Sequence, residues 1–204
     1  MTYTLPRYKS YQEYLDDEQL HPEANYRLLS TGELIEVASE HEDNLWIANI
    51  LILAILAAEG NQLFTLIRPG NKELQVTPIG DKWVNRKPDV MIMRSEHRKI
   101  AKKAITLEMP PPTFVAEMVS PGSESSDSYL RDYVWKRAQY EALGIPEYWI
   151  VDPHREQVTV LILMEDRYEE SLYHGDTQIL SSVFPRLKIS AARLLNGEIE
   201  STAE

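Results

Sequence analysis

The hydrophobic positions of this chain follow two periods, one typical of strands and one typical of helices. Short runs rich in β-branched and aromatic residues, bounded by Gly, Pro, Asn or Asp, predict strands. In chain order these runs are 26–29, 33–37, 62–68, 73–77, 89–94, 114–119, 147–151, 157–164 and 167–173, with a shorter candidate at 179–180. Strands and helices of these lengths in one chain predict an α/β or α+β fold built on a sheet.

Helical spacing of apolar residues is clearest after Ser39, which is a good N-cap with Glu42 three residues further on. The apolar positions recur from Leu45 to Ala58, and Gly60 is a typical helix end. The predicted helices are 11–17, about 40–59, the amphipathic stretch that ends at 144, and 190–195. The segment 95–103 is interpreted as either a helix or a basic loop.

The length of 204 residues suits one domain, which we place at 26–204, with residues 1–25 as an N-terminal arm packed on it. The chain has no cysteine, which excludes disulfides and thiolate metal sites. Its first residues lack the apolar core of a secretory signal, and the longest apolar run is too short to span a bilayer. We therefore expect a cytoplasmic protein without a membrane partner.

Charge is distributed unevenly along the chain. The net charge is −11, yet residues 82–103 contain eight basic and two acidic residues, a local net charge of +6. A basic segment of this kind is a candidate binding site for a polyanion. The alternative is a solvated loop of mixed charge. The candidate nucleic-acid contacts in this segment are Arg98, Lys99, Lys102 and Lys103.

Two carboxylates stand in or beside apolar strands. Asp89 opens the run 89–94, and Glu117 lies within the run 114–119. A carboxylate in a buried strand is costly unless it is paired, protonated or bound to a metal. If the two strands were neighbours, both acids could bind one cation, and their oxygen ligands suit Mg²⁺ or Mn²⁺. Strand alternation alone also permits a solvent-facing Glu117.

A lysine on the following helix is the second candidate. Lys136 lies four residues after Asp132 and four before Tyr140, so the three side chains share one helix face. In the functional interpretation, the lysine side chain points into a cleft and binds a water or a phosphate oxygen there. The alternative is a surface ion pair that contributes a few tenths of a kcal/mol. Neither a glycine-rich phosphate loop nor an HExxH zinc motif is present.

These residues belong to an ordered set of short motifs. The set comprises Gly32-Glu33-Leu34, Pro88-Asp89, Glu117 with Ser120-Pro121, Asp132/Lys136/Tyr140, and Gly144-Ile145-Pro146-Glu147-Tyr148-Trp149 with Asp152. In this order, across about residues 26–165, the chain resembles the Uma2 or DUF820 family of the PD-(D/E)XK nuclease superfamily. The resemblance implies a restriction endonuclease-like fold, in which a mixed central sheet is flanked by helices.

The resemblance also implies roles for particular residues. Asp89 and Glu117 would be the catalytic, metal-binding acids, and the cofactor would be Mg²⁺ or Mn²⁺. The superfamily often has a lysine two residues after the second acid, but this chain has Val119 there, so Lys136 would be its replacement. The backbone carbonyl of Met118 or Val119 would add a metal ligand.

An upstream acid often completes such sites. Glu36 is our choice for this third ligand, with Glu33 and Glu40 as rivals. Many relatives have a glutamate in a Tyr-Glu-Leu sequence where this chain reads Tyr26-Arg27-Leu28, so a cation replaces one acid of the family pattern.

The activity implied is metal-dependent hydrolysis of DNA phosphodiester bonds, with Lys136 orienting or deprotonating the attacking water. A homodimer is expected only because nucleases of this superfamily often dimerise. The alternative is a catalytically inactive member of the fold that binds DNA or a protein. Val119, Arg27 and the net charge of −11 favour that alternative.

Overall fold

A computed structural model of the chain describes residues 5–20, 24–37, 42–80, 82–122, 126 and 129–198. The helices are α1 (Tyr11–Asp16), α2 (Glu42–Glu59), α3 (His97–Ile100), α4 (Lys136–Leu143) and α5 (Ala191–Leu195). The strands are β1 (Tyr26–Leu28), β2 (Leu34–Glu36), β3 (Ile67–Arg68), β4 (Glu73–Gln75), β5 (Asn85–Arg86), β6 (Val90–Ile92), β7 (Ala104–Ile105), β8 (Phe114–Met118), β9 (Glu147–Asp152), β10 (Gln157–Met164) and β11 (Arg167–His174).

The main sheet has six strands in the order β11-β10-β9-β8-β6-β3. β8 and β9 pair in parallel, whereas the other neighbouring strands pair in antiparallel fashion. A parallel pair needs a crossover connection, and the segment that contains α4 supplies it. This mixed sheet between helices confirms the predicted fold class.

Alternation along the strands divides the core into two clusters, one on each face of the sheet. Phe114, Ala116 and Met118 pack with α2 and α5 in the first cluster, as the helical periodicity of α2 predicts. Val115 and Val119 pack in the second cluster, where Tyr140 of α4 lies. The sheet is therefore covered by helices on both faces.

A smaller sheet lies beside the second cluster. Its strand order is β5-β4-β7, and Leu74 and Ile105 contribute to that cluster. The hairpin β1-β2 packs with the arm in a third cluster that contains Tyr14 and Leu28. Ser10 caps α1, because its hydroxyl accepts a hydrogen bond from the Glu13 amide at 3.1 Å.

The boundaries of several predicted elements were wrong. Residues 62–68 do not form one strand, because the chain first makes a 3-10 turn, Asn61–Thr65, and only then β3. The Gln62 side chain donates to the Glu59 carbonyl at 2.7 Å, so a backbone carbonyl at the end of α2 gains a hydrogen-bond partner. The candidate at 179–180 makes only an isolated bridge nearby, between Gln178 and Ser190.

The segment 95–103 is helical only in α3, and the two-residue strands β5 and β7 were not predicted. Such short strands carry too few residues to show a period. Ser39 and Glu40, the predicted start of α2, lie outside the described residues. Within the described ranges, no helix combines the length and apolar character needed to cross a membrane.

Candidate active site

The two predicted acids meet at one end of the main sheet. Val90 of β6 pairs with Ala116 of β8, so the next positions along this antiparallel ladder are Asp89 and Glu117. Alternation puts both side chains on the face that carries the second cluster. The Asp89 Oδ2 accepts a hydrogen bond from the Met118 amide at 2.7 Å.

Burial removes one of the two alternatives for Glu117. Its side chain is not solvent-facing, because only 2% of Glu117 is exposed, and Asp89 is 8% exposed. Both carboxylates therefore need partners.

The partners of Glu117 come from the crossover segment. Lys136 Nζ lies 2.8 Å from Glu117 Oε2 and 2.8 Å from Asp132 Oδ1. The Tyr140 hydroxyl donates to the other oxygen, Oε1, at 2.5 Å. A π-helical run, Leu130–Trp135, leads into α4 and carries Asp132, which is buried. The Asp132–Lys136 pair is therefore part of a buried network and not a surface ion pair.

The carboxylates keep Lys136 charged. Burial alone would lower the pKa of Lys136, but Asp132, Glu117 and Asp89 outweigh it and raise the pKa to about 12. Lys136 therefore carries its proton at neutral pH and is a source of positive charge. An ammonium in this state can orient water or phosphate, but it has no free electron pair with which to take a proton.

Two further cations lie near the carboxylates. Arg27 and Arg86 are buried, and their guanidinium carbons lie 5.8 Å and 4.7 Å from the centroid of the Trp83 ring. Burial, followed by the neighbouring Arg86, lowers the pKa of Arg27, whereas Glu73 and Glu117 act in the opposite direction. Arg86 Nε also donates to Gln139 Oε1 at 2.8 Å. The positive charge of Arg27 thus interacts electrostatically with Glu117.

The predicted third acid is not beside the other two. Glu36 and Glu33 are exposed residues of the β1-β2 hairpin region, and Glu40 lies outside the described residues. Among the residues that are described, no three His, Cys, Asp or Glu side chains gather into a group that could hold a metal ion. The role of Glu36 as a ligand stays a prediction without geometric support.

The predicted backbone ligands lie where β8 ends. Met118 carbonyl oxygen accepts a hydrogen bond from the Asn44 side chain at 3.4 Å. Val119 is buried in the second cluster, and its amide donates to the Val151 carbonyl at 2.8 Å. Val119 is thus on the sheet face of Glu117, and the Lys136 ammonium reaches Glu117 from α4.

The remaining acidic positions of the family motif have structural partners. Glu147 is fully buried and accepts hydrogen bonds from Trp149 and from the loop 181–183. Asp152 accepts from Tyr133, His154 and Arg155. These contacts hold loops against the sheet.

The four predicted nucleic-acid contacts are exposed. Arg98 and Lys99 are on α3, and Lys102 and Lys103 follow it. Lys103 Nζ donates to the Leu15 carbonyl of the arm at 2.6 Å.

The donor chemistry at the sheet end suits a hard cation. Mg²⁺ in phosphate chemistry is usually bound by one or two carboxylates together with substrate phosphates, and keeps several waters. Asp89 and Glu117 could supply those two carboxylates. A third acidic ligand is not required for such a site.

Comparison with known proteins defines the class of the fold. A crystal structure described as "a putative nuclease belonging to DUF820 from Anabaena variabilis ATCC 29413" matches with a TM-score of 0.59 at 16% sequence identity. The match covers 91% of this chain and 97% of that one. At this identity the likeness shows the fold alone, which is nuclease-like. No curated protein matches the chain.

The family follows from the sequence match. The model of the Uma2 family, described as "Putative restriction endonuclease", matches residues 11–192. The chain belongs to the Uma2 family, as its ordered motifs predict. The family description supports a nuclease function in general terms.

Proposed function

We propose that the protein is a metal-dependent endonuclease that hydrolyses DNA phosphodiester bonds, with Asp89, Glu117 and Lys136 as its catalytic residues. The observation that carries the proposal is the position of the Lys136 ammonium, 2.8 Å from Glu117 Oε2. Asp89 lies on the same sheet face and contributes to the raised pKa of Lys136. Two acids and a lysine thus face each other although the lysine is on a helix.

Each residue has a distinct task in this proposal. Asp89 and Glu117 would hold Mg²⁺ or Mn²⁺, which would lower the pKa of a bound water and offset charge on the phosphate. Lys136 would direct its positive charge at the phosphate or the water, because it stays protonated. Tyr140 fixes the Glu117 carboxylate through its hydroxyl.

The test is cleavage of supercoiled plasmid and of single-stranded DNA by the purified protein, with Mg²⁺ or Mn²⁺ present. Near-isosteric variants Asp89→Asn, Glu117→Gln and Lys136→Met should each lower the cleavage rate by about 100-fold or more. Glu169→Gln is the matched control, because Glu169 is an exposed acid of β11. All assays should run well below the melting temperature of each variant.

Cleavage that survives all three substitutions would rule out this site. Cleavage that is lost equally in Glu169→Gln would point to a general effect of charge. Cleavage that persists in EDTA would remove the metal from the proposal and leave the residues to be tested separately.

The second candidate is a non-catalytic DNA-binding member of the fold. The observation in its favour is the Arg27 guanidinium, which is buried and whose electrostatic interaction with Glu117 opposes a metal cation nearby. This candidate predicts that the wild-type protein binds DNA, takes up no Mn²⁺ in titration calorimetry and cleaves nothing. Arg27→Gln should then strengthen Mn²⁺ uptake. Tight Mn²⁺ binding by the wild type, together with cleavage, would contradict it.

A further inference from the structure

A basic pocket lies at the edge strand of the main sheet, beside the strand that follows Asp89. Its volume is about 360 Å³. The cationic residues that line it are Arg68, Lys72, Arg98, Lys102 and Lys103. Among the described residues none of the pocket's lining is acidic. Lys103 also lies 3.6 Å from Asp16 of the arm, which is not part of the lining. The other four cations gather in a chain of net charge −11 although like charges repel one another.

The sheet register puts the pocket on the same face as the candidate active site. Arg68 of β3 pairs with Met91 of β6, two residues from Asp89. Strand spacing of about 4.8 Å and a rise of about 3.4 Å per residue give a Cα separation of about 8 Å between Arg68 and Asp89. The Gly70 amide also donates to the Pro88 carbonyl at 3.1 Å, which holds the two segments together.

The cations of the pocket differ in how they are engaged. The buried Lys72 ammonium donates to the carbonyls of Ala101 and Lys102, and so fixes the turn after α3. Arg68 donates to the Thr65 and Ile67 carbonyls. Arg98 and Lys102 are exposed, and within the described part of the chain their side chains make no ion pair. Burial is the main cause of the lowered pKa of Lys72, and the neighbouring Arg68 lowers it further.

A second pocket connects this one to Lys87. The two pockets share Asn71 and Lys103, and the second contains Lys87. Lys87 is two residues before Asp89 in the sequence. Three acids also line the second pocket, Asp17, Glu18 and Glu73, so this pocket is mixed in charge. The two oxygens of Glu73 accept hydrogen bonds from Tyr11 and Tyr14. The all-cationic lining is thus confined to the first pocket, which the pairing of β3 with β6 brings close to Asp89.

We infer that the pocket of Arg68, Lys72, Arg98 and Lys102 binds a backbone phosphate of a nucleic-acid strand, a few nucleotides from the phosphate at Asp89 and Glu117. This inference rests on the proposed function for the identity of the strand as DNA. It adds Arg68 and Lys72 to the nucleic-acid contacts predicted from the sequence. It leaves out Lys99, which does not line the pocket.

The experiment is fluorescence anisotropy of a labelled 20-mer, as duplex and as single strand, in EDTA and over a range of salt concentrations. Arg68→Gln with Lys102→Gln is the test pair. Arg167→Gln with Lys188→Gln is the control pair, because both are exposed cations elsewhere and the change in net charge is identical. Circular dichroism and thermal melting should establish that each variant is folded.

The test pair should weaken binding by about 10-fold at moderate salt, and the slope of log K against log salt should fall by about 1 to 2. The control pair should change affinity by less than about 2-fold. Equal losses in both pairs, or an unchanged slope in the test pair, would overturn the inference. If Arg68→Gln unfolds β3, Arg98→Glu with Lys102→Glu applies the same criteria to two exposed side chains.

Titration with inorganic phosphate distinguishes a site for a nucleic-acid phosphate from a site for a free phosphate ion. Phosphate that binds the wild type but not the test pair, while oligonucleotide affinity is equal in both, would identify a small-anion site and overturn the inference. Binding is measured without metal, so the outcome is independent of cleavage. If the test pair weakens binding but the wild type cleaves no DNA, only the proposed nuclease activity is refuted. If the wild type cleaves DNA but the test pair binds it normally, only the phosphate-binding role of the pocket is refuted.

Discussion

The substitution Lys136→Met tests the buried charge network directly. Methionine keeps most of the length and apolar stem of the lysine but removes its ammonium. The lysine side chain is 13% exposed, and the two carboxylates that it bridges, those of Glu117 and Asp132, are 3% and 1% exposed. The variant therefore leaves two buried carboxylates without their shared cation.

The expected cost follows from that geometry. Breaking a buried ion pair by removing one partner typically costs about 3–5 kcal/mol. The rise in the pKa of Lys136 from 10.5 to about 12 corresponds to about 2 kcal/mol, and this is a net value because burial opposes the rise. We therefore expect a loss of about 3 kcal/mol in the free energy of unfolding, or about 6–12 °C in melting temperature.

The measurement is urea unfolding at several pH values between 4.5 and 8. Arg137→Met is the matched control, because the adjacent Arg137 pairs with Glu170 and these side chains are 35% and 38% exposed. An exposed pair contributes less than about 1 kcal/mol. Without the ammonium, burial should raise the pKa of Asp132 in the folded state, because Lys136 is the main group that opposes the effect of burial. Stability linked to a raised pKa is lost as pH rises, so the deficit of Lys136→Met should shrink toward pH 4.5.

A deficit in Lys136→Met no larger than that in Arg137→Met would refute this reasoning. A deficit that is the same at pH 4.5 and pH 8 would also refute it, because the cause would then be packing and not charge.

Three further predictions concern the partners of this network and a structural acid. Tyr140→Phe removes the hydroxyl bound to Glu117 and should cost about 1–3 kcal/mol in urea unfolding, with unchanged stability as the contrary result. Between pH 5 and pH 2, the Asp132→Asn variant should lose less free energy of unfolding than the wild type loses. Burial would raise the pKa of Asp132, but Lys136 and Arg131 hold it below 3.8, so its stabilising effect is present above that value and lost as pH falls further. Glu147→Gln should cost about 2–4 kcal/mol yet leave the rate of DNA cleavage at low temperature unchanged, because Glu147 holds a loop; a specific loss of cleavage would contradict this.

Local periodicity was sufficient to predict the centre of the fold. The period of 2 in β8 puts Phe114 and Glu117 on opposite faces, as they are in the structure, but it did not decide whether Glu117 faces solvent. The four-residue spacing placed Asp132, Lys136 and Tyr140 on one helix face, and all three now lie in one network with Glu117. Each of these relations depends on residues close together in the sequence.

Relations between distant segments could not be predicted in the same way. The proximity of Arg68 to the basic segment depends on the pairing of β3 with β6, which joins two short strands over 20 residues apart. The burial of Arg27 depends on the packing of the β1-β2 hairpin against β5 of the smaller sheet, where the Leu28 amide donates to Asn85 Oδ1 at 2.8 Å. Neither β3 nor β1 is long enough to reveal its neighbours through its own pattern.

The position of the lysine on a helix has a consequence for how a metal could be admitted. Glu117 Oε2 already contacts the Lys136 ammonium, so a metal cation bound at that oxygen would repel the ammonium. A lysine at position 119 would be fixed by the same strand as Glu117, whereas Lys136 has Asp132 as a second partner on its own helical segment. If the ammonium leaves Glu117, it can keep its contact with Asp132 and remain in the network. Release then costs one ion contact and not two, so the buried network and a metal-binding role of Glu117 are compatible.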